Sequence, residues 1–138
     1  MTLQLILAKS FNPLSKEHLM HPSSAFSALV ESIRPHVVEV SIEAYQADDA
    51  WVLIDVREDN EWLQDHLPQA KHMSRGIIER DIEQRFPDKH TPLLLYCAGG
   101  ARSVLAASSL QLMGYQKVAS LIGGYKGWIQ RQLPVVQE

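Results

Sequence analysis

Along this chain, short apolar runs and helical patterns replace one another from end to end. Near the start, Phe26, Leu29, Val30 and Ile33 fall at i, i+3, i+4 and i+7, one face of a helix. Ser23 or Ser24 is placed to cap that helix, and Pro35 ends it. Beyond it, residues 37–40, 51–55 (WVLID), 70–73, 92–96 (PLLLY) and 118–122 read as strands. Residues 42–47, 59–64, 77–86, 103–113 and 125–132 read as the helices between them. Ser41 is positioned as the N-cap of the first of these helices, and Gly114 as the C′ stop of 103–113.

Strands that alternate with helices predict an α/β fold. Its centre is a mostly parallel five-stranded sheet with helices on both faces. Residues 1–35 stand apart as a helical extension expected to pack on the domain formed by residues 36–138. In sheets of this kind, ligands bind beyond the carboxyl ends of the strands. That rule gathers Arg57, Arg75, Cys97 with Arg102, and Lys126 on one rim.

Composition sharpens this picture. The chain has 138 residues, 46% of them hydrophobic and 21% charged, which is enough for one domain with a true core. A net charge of −3 gives no basic field to draw it to nucleic acid or to an anionic membrane, and no apolar run is long enough for a membrane span. Neither a leader nor a cleavage site is evident, so a cytoplasmic location is expected. With Cys97 as the one cysteine, an internal disulfide and a Cys-rich metal site are both excluded. The six histidines offer no ligand spacing, and no nucleotide fingerprint is present, so neither metal nor cofactor is expected.

The informative stretch is Cys97-Ala98-Gly99-Gly100-Ala101-Arg102-Ser103. It follows an apolar strand and opens a helix. Small residues let the loop curl with successive N–H groups turned inward, a nest for an anion. The helix N-terminus and Arg102 add positive charge, so Cys97 is placed as a nucleophile that reacts as the anion. Cysteine phosphatases hold five residues between Cys and Arg; here four intervene. The smaller loop suits a single terminal sulfur rather than a tetrahedral phosphate, which disfavours a phosphatase or arsenate reductase.

Together, Leu53-Ile54-Asp55-Val56-Arg57-Glu58, Glu61-Trp62, His66-Leu67-Pro68-Gln69-Ala70, the Cys97 loop and Leu121-Ile122-Gly123-Gly124-Tyr125-Lys126-Gly127-Trp128 resemble the rhodanese family, over roughly residues 37–133. The resemblance implies a sulfurtransferase in which Cys97 takes sulfur from a donor such as thiosulfate, forms a persulfide, and passes it to cyanide, a small thiol or a protein acceptor. It also implies substrate contacts from Ala98, Gly99, Gly100, Ala101, Arg102 and Ser103. Arg57, Arg75 and Lys126 are expected to add charge at the rim. Asp55 is implied as structural support, and Arg57 is implied to pair with Glu61. The family pattern has glycine where Asp65 and Gln69 stand here. The competing expectation is a persulfide carrier or interaction module that serves a protein partner.

Overall fold

A computed structural model describes residues 24–137 of the chain. By its internal contacts the chain divides into two units, one ending at Ser32 and the other beginning at Ile33. Helix α1 (Ser24–Ile33) carries the apolar stripe, and Pro35 follows it within a 3₁₀ turn, Arg34–His36. The candidate cap Ser23 and the rest of the expected extension, residues 1–23, lie outside the described residues.

The second unit runs β1 (Val38–Val40), α2 (Ile42–Gln46), β2 (Val52–Asp55), α3 (Asp59–Gln64), β3 (Lys71–His72), α4 (Ile78–Arg85), β4 (Leu93–Tyr96), α5 (Ala101–Leu112), β5 (Val118–Leu121) and α6 (Gly124–Gln130). The five strands form one sheet in the order β1-β5-β4-β2-β3. Every strand pair is parallel. The expected α/β architecture is therefore present. No helix among the described residues is long and apolar enough to cross a membrane.

Local chemistry explains the boundaries. The Ser41 hydroxyl accepts the Ala44 N–H at 3.0 Å and starts α2. Glu58 and Glu61 close a reciprocal capping box at the head of α3. Gly114, at φ 105°, ends α5 as expected. The start of α5 differs from the sequence pattern in a way that matters for the site: the helix begins at Ala101, two residues before Ser103. Gly100 makes this possible by taking φ 112° at the N-cap. Arg102 and Ser103 therefore sit inside the first helical turn.

The neighbouring strands β4 and β5 are buried along their whole length, and the buried Ser120 of β5 is hydrogen-bonded to Ser103. One face of the sheet gathers Ile42, Leu53, Leu94, Tyr96, Leu121 and Trp128, with Tyr45 and Trp51 at its margin. Helix α5 packs on β4 and β5 and touches α4. The chain leaves β2 toward β3 on one side and leaves β4 toward β5 on the other. That reversal falls between β2 and β4, and at its carboxyl end Cys97 follows Tyr96 directly.

Candidate active site

Cys97 directly follows β4 and is only 1% exposed. The backbone N–H of Gly100 donates to its Sγ at 3.1 Å, and that of Ser103 at 3.4 Å. Both are N–H groups that a helix terminus leaves without an internal partner, so the sulfur takes the place that a capping oxygen would fill. Ser103 Oγ lies 3.4 Å from Sγ and 2.8 Å from Ser120 Oγ, and both serines are fully buried. Two N–H groups thus point at the sulfur from the first turn of α5, and the Ser103 hydroxyl lies within hydrogen-bond reach of it.

A second helix terminus fixes the loop from outside. At the start of α6, the Tyr125 N–H donates to the Cys97 carbonyl at 2.9 Å and the Lys126 N–H to that of Ala98 at 3.0 Å. The loop carbonyls are thus held by α6 while loop N–H groups turn toward the sulfur. This approach needs Gly124, at φ 54°. A Cβ there would overlap the Cys97 oxygen and stand 3.0 Å from the Ala98 oxygen. At Gly99 and Gly100, an added Cβ would meet nothing within 4 Å, so the loop itself has open space around it.

The cations fall differently from the sequence expectation. Arg57 does not stand on the open rim. It is 3% exposed and binds Asp55 through Nε and Nη2, at 3.1 and 2.9 Å, and the Asp65 carbonyl at 2.7 Å. Burial works against its charge, and the hydrogen bond and charge of Asp55 outweigh that. Nor does Arg57 pair with Glu61. Glu61 instead takes Arg102, at 2.8 and 3.2 Å, with Glu58 a further 4.0 Å partner. Helix α3 brings Glu61 over the first turn of α5, where Arg102 is the cation within reach. The hydrogen bond from Arg102 holds the Glu61 carboxyl below the ordinary carboxylate range. Arg75, in the turn before α4, pairs with Glu79 in that helix's first turn at 2.7 Å. The Lys126 side chain is exposed and makes no ion pair with the described residues. Of the four expected rim cations, three are therefore neutralised by a carboxylate.

Asp55 sits in a buried network that the sequence pattern did not show. Tyr96 Oη donates to Asp55 Oδ2 at 2.6 Å and accepts the Leu67 N–H at 3.1 Å. Burial, reinforced by the Asp55 carboxylate, pushes the Tyr96 phenol well up and keeps it protonated. Arg57 also lies over the Tyr125 ring, 4.4 Å from its centroid. Tyr125 in turn donates to Asp65 Oδ1 at 2.6 Å. Asp65, which replaces a glycine of the family pattern, has extended backbone and becomes a hydrogen-bonding bridge between α3 and α6. Gln69, the other replacement, holds φ 70°. Among the described residues, no group of His, Cys, Asp and Glu side chains gathers as a metal site.

Comparison with known proteins agrees with this architecture. Residues 40–131 match the family described as Rhodanese-like domain. The thiosulfate sulfurtransferase GlpE of Coxiella burnetii is 35% identical over 77 residues, 56% of this chain and 70% of that protein. The putative sulfur carrier protein YrkF of Bacillus subtilis is 27% identical over 96 residues, 67% of this chain and 51% of that one. Among solved structures, the polysulfide-sulfur transferase homodimer of Wolinella succinogenes is similar with a TM-score of 0.68 and 27% identity, covering 83% of this chain and 89% of that one. The chain belongs to the rhodanese-like family and is a sulfurtransferase of that family.

Proposed function

We propose that the chain transfers sulfane sulfur from thiosulfate to a thiophilic acceptor through a persulfide on Cys97. The observation that carries this is the convergence of the Gly100 and Ser103 N–H groups on Sγ at 3.1 and 3.4 Å, at the N-terminus of α5. In the first step, the Cys97 thiolate attacks the outer sulfur of thiosulfate. The new S–S bond forms as the old one breaks, and sulfite leaves with the bonding electron pair. Cysteine is left as the persulfide anion, which the same N–H groups and the curled loop from Ala98 to Ala101 stabilise. In the second step, cyanide or a thiolate attacks the outer sulfur. Thiocyanate or a new persulfide departs and the Cys97 thiolate returns.

Within this proposal Arg102 acts through Glu61 to fix the first turn of α5, and Lys126, without an ion-pair partner among the described residues, supplies the positive charge that draws in a dianion. Asp55 and Arg57 hold the floor of the loop rather than the substrate. The resemblance to a protein named as a sulfur carrier favours a second reading, in which a partner protein delivers or removes the sulfur. Steady-state kinetics test both. The enzyme gives parallel double-reciprocal lines with thiosulfate and cyanide, and Cys97→Ser abolishes turnover while the fold persists. A carrier turns over slowly with these small molecules and saturates only with a protein donor. Retained activity in a folded Cys97→Ser variant contradicts both readings.

A further inference from the structure

At the end of the sheet opposite Cys97, Trp51 immediately precedes β2 beside a pocket of about 330 Å³. Tyr45 of α2 and Trp128 of α6 line it with Trp51, and Asp48 and Asp49 stand at its edge. Tyr45 and Trp128 present rings at 55° to one another with centroids 6.2 Å apart, walls of a recess rather than a closed stack. Trp51 and Tyr45 are only half-buried. Asp48 accepts the Ala50 N–H at 3.0 Å, and neither Asp48 nor Asp49 is in an ion pair with the described residues. Every other part of the lining is uncharged.

Three electron-rich rings and two unneutralised carboxylates around one space select for positive charge carried on an apolar body. Ring faces attract a cation through their quadrupoles, and the carboxylates add a long-range field. An inorganic cation would lose too much hydration against the rings, whereas an alkylated ammonium is weakly hydrated and fits them. Trp51 already shows this preference, since Lys117 holds its Nζ 5.0 Å from the ring centroid. Lys117 does not line the pocket. The volume lies at the lower end of the range of small-ligand sites and accommodates a trimethylammonium group with a short chain.

We propose that this pocket is a binding site for a small quaternary ammonium cation, separate from the sulfur-transfer site. It requires nothing of Cys97, so the two assignments stand or fall independently.

Choline is the probe, and its uncharged isostere 3,3-dimethylbutan-1-ol is the control. The indole N–H resonances of the full chain report binding, because the three tryptophans divide into Trp51 and Trp128 in the pocket and Trp62, stacked on His66 elsewhere. Choline is expected to shift the Trp51 and Trp128 resonances saturably, with a dissociation constant on the order of 1 mM, and to leave Trp62 in place. The neutral alcohol should bind about tenfold more weakly, and so should choline to a Asp48→Asn, Asp49→Asn double variant, whose changes are exposed and leave the core intact. Absence of a saturable shift at the pocket tryptophans, or equal binding of the neutral alcohol, overturns the proposal. Undiminished choline binding by the double variant overturns it as well.

Discussion

Gly124 and Cys97 meet backbone against backbone: the α-carbon of the first residue of α6 lies so close to the Cys97 carbonyl that no side chain fits between them. This contact joins the last strand-helix unit to the sulfur-bearing loop. It also explains why a glycine distant in sequence governs the loop's shape, since Tyr125 and Lys126 donate to the loop carbonyls only at this spacing.

Gly124→Ala should therefore disturb the loop first. A methyl group at φ 54° is strained and overlaps the Cys97 oxygen, so α6 or the loop must retreat. We expect a loss of about 2 kcal/mol in urea unfolding, the combined scale of left-handed strain and overpacking. Turnover in the folded variant should fall by about tenfold or more, because the N–H groups no longer converge on the sulfur. Wild-type turnover would show that the contact does not shape the loop.

Lys126 and Arg75 should separate when each is changed to alanine. Arg75 already shares its charge with Glu79 at 2.7 Å, whereas Lys126 is exposed with no described ion-pair partner. Lys126→Ala is expected to raise KM for thiosulfate by roughly threefold with little change in kcat, an effect that fades at high salt. Arg75→Ala should change KM by less. The opposite ranking in steady-state assays would place the attracting charge on Arg75.

The Glu61 carboxyl is held below the usual range by its hydrogen bond to Arg102. A depressed folded value means that the charged pair stabilises the fold above the ordinary glutamate pKa. The contribution is then lost as pH falls from that value through the lowered one. Wild type should exceed Glu61→Gln in unfolding free energy at neutral pH by less than about 1 kcal/mol, because the pair is partly solvated. The gap should close in acid. A gap that stays constant between neutral pH and the acid range would mean that the carboxyl is unperturbed.

Gln69 offers a test of local strain. Its φ of 70° suits glycine, and Gln69→Gly should raise stability by up to about 1 kcal/mol, less what the freer unfolded chain takes back. A clear loss of stability in thermal unfolding would show that the glutamine side chain contributes more than its backbone costs.

Much of the fold was legible because parallel strands buried on both faces must be apolar throughout, as 92–96 is, and because Ser41 and Gly114 punctuate their helices. The Cys97 loop was legible for a similar reason, since few sequences need so many small residues between a strand and an arginine. The ion pairs were not. Glu61 and Asp55 are both near Arg57 in sequence, and only the placement of α3 over α5 gives Glu61 to Arg102. The start of α5 was not legible either, because a positive φ at Gly100 recruits Ala101 and Arg102 into the helix. Tyr96, Tyr125 and Asp65 read as a strand end, a helix start and an irregular replacement. Their hydrogen bonds span up to 60 positions, and no local pattern reveals them.

The most direct test is the mass of the protein after exposure to thiosulfate with no acceptor present. Cys97 is the only thiol in the chain, so no internal disulfide can discharge a persulfide. The account predicts one added sulfur per chain, located on the peptide that carries Cys97, with one sulfite released, and loss of the added mass on treatment with cyanide. Thiosulfate-cyanide turnover without any added sulfur on Cys97 would contradict it.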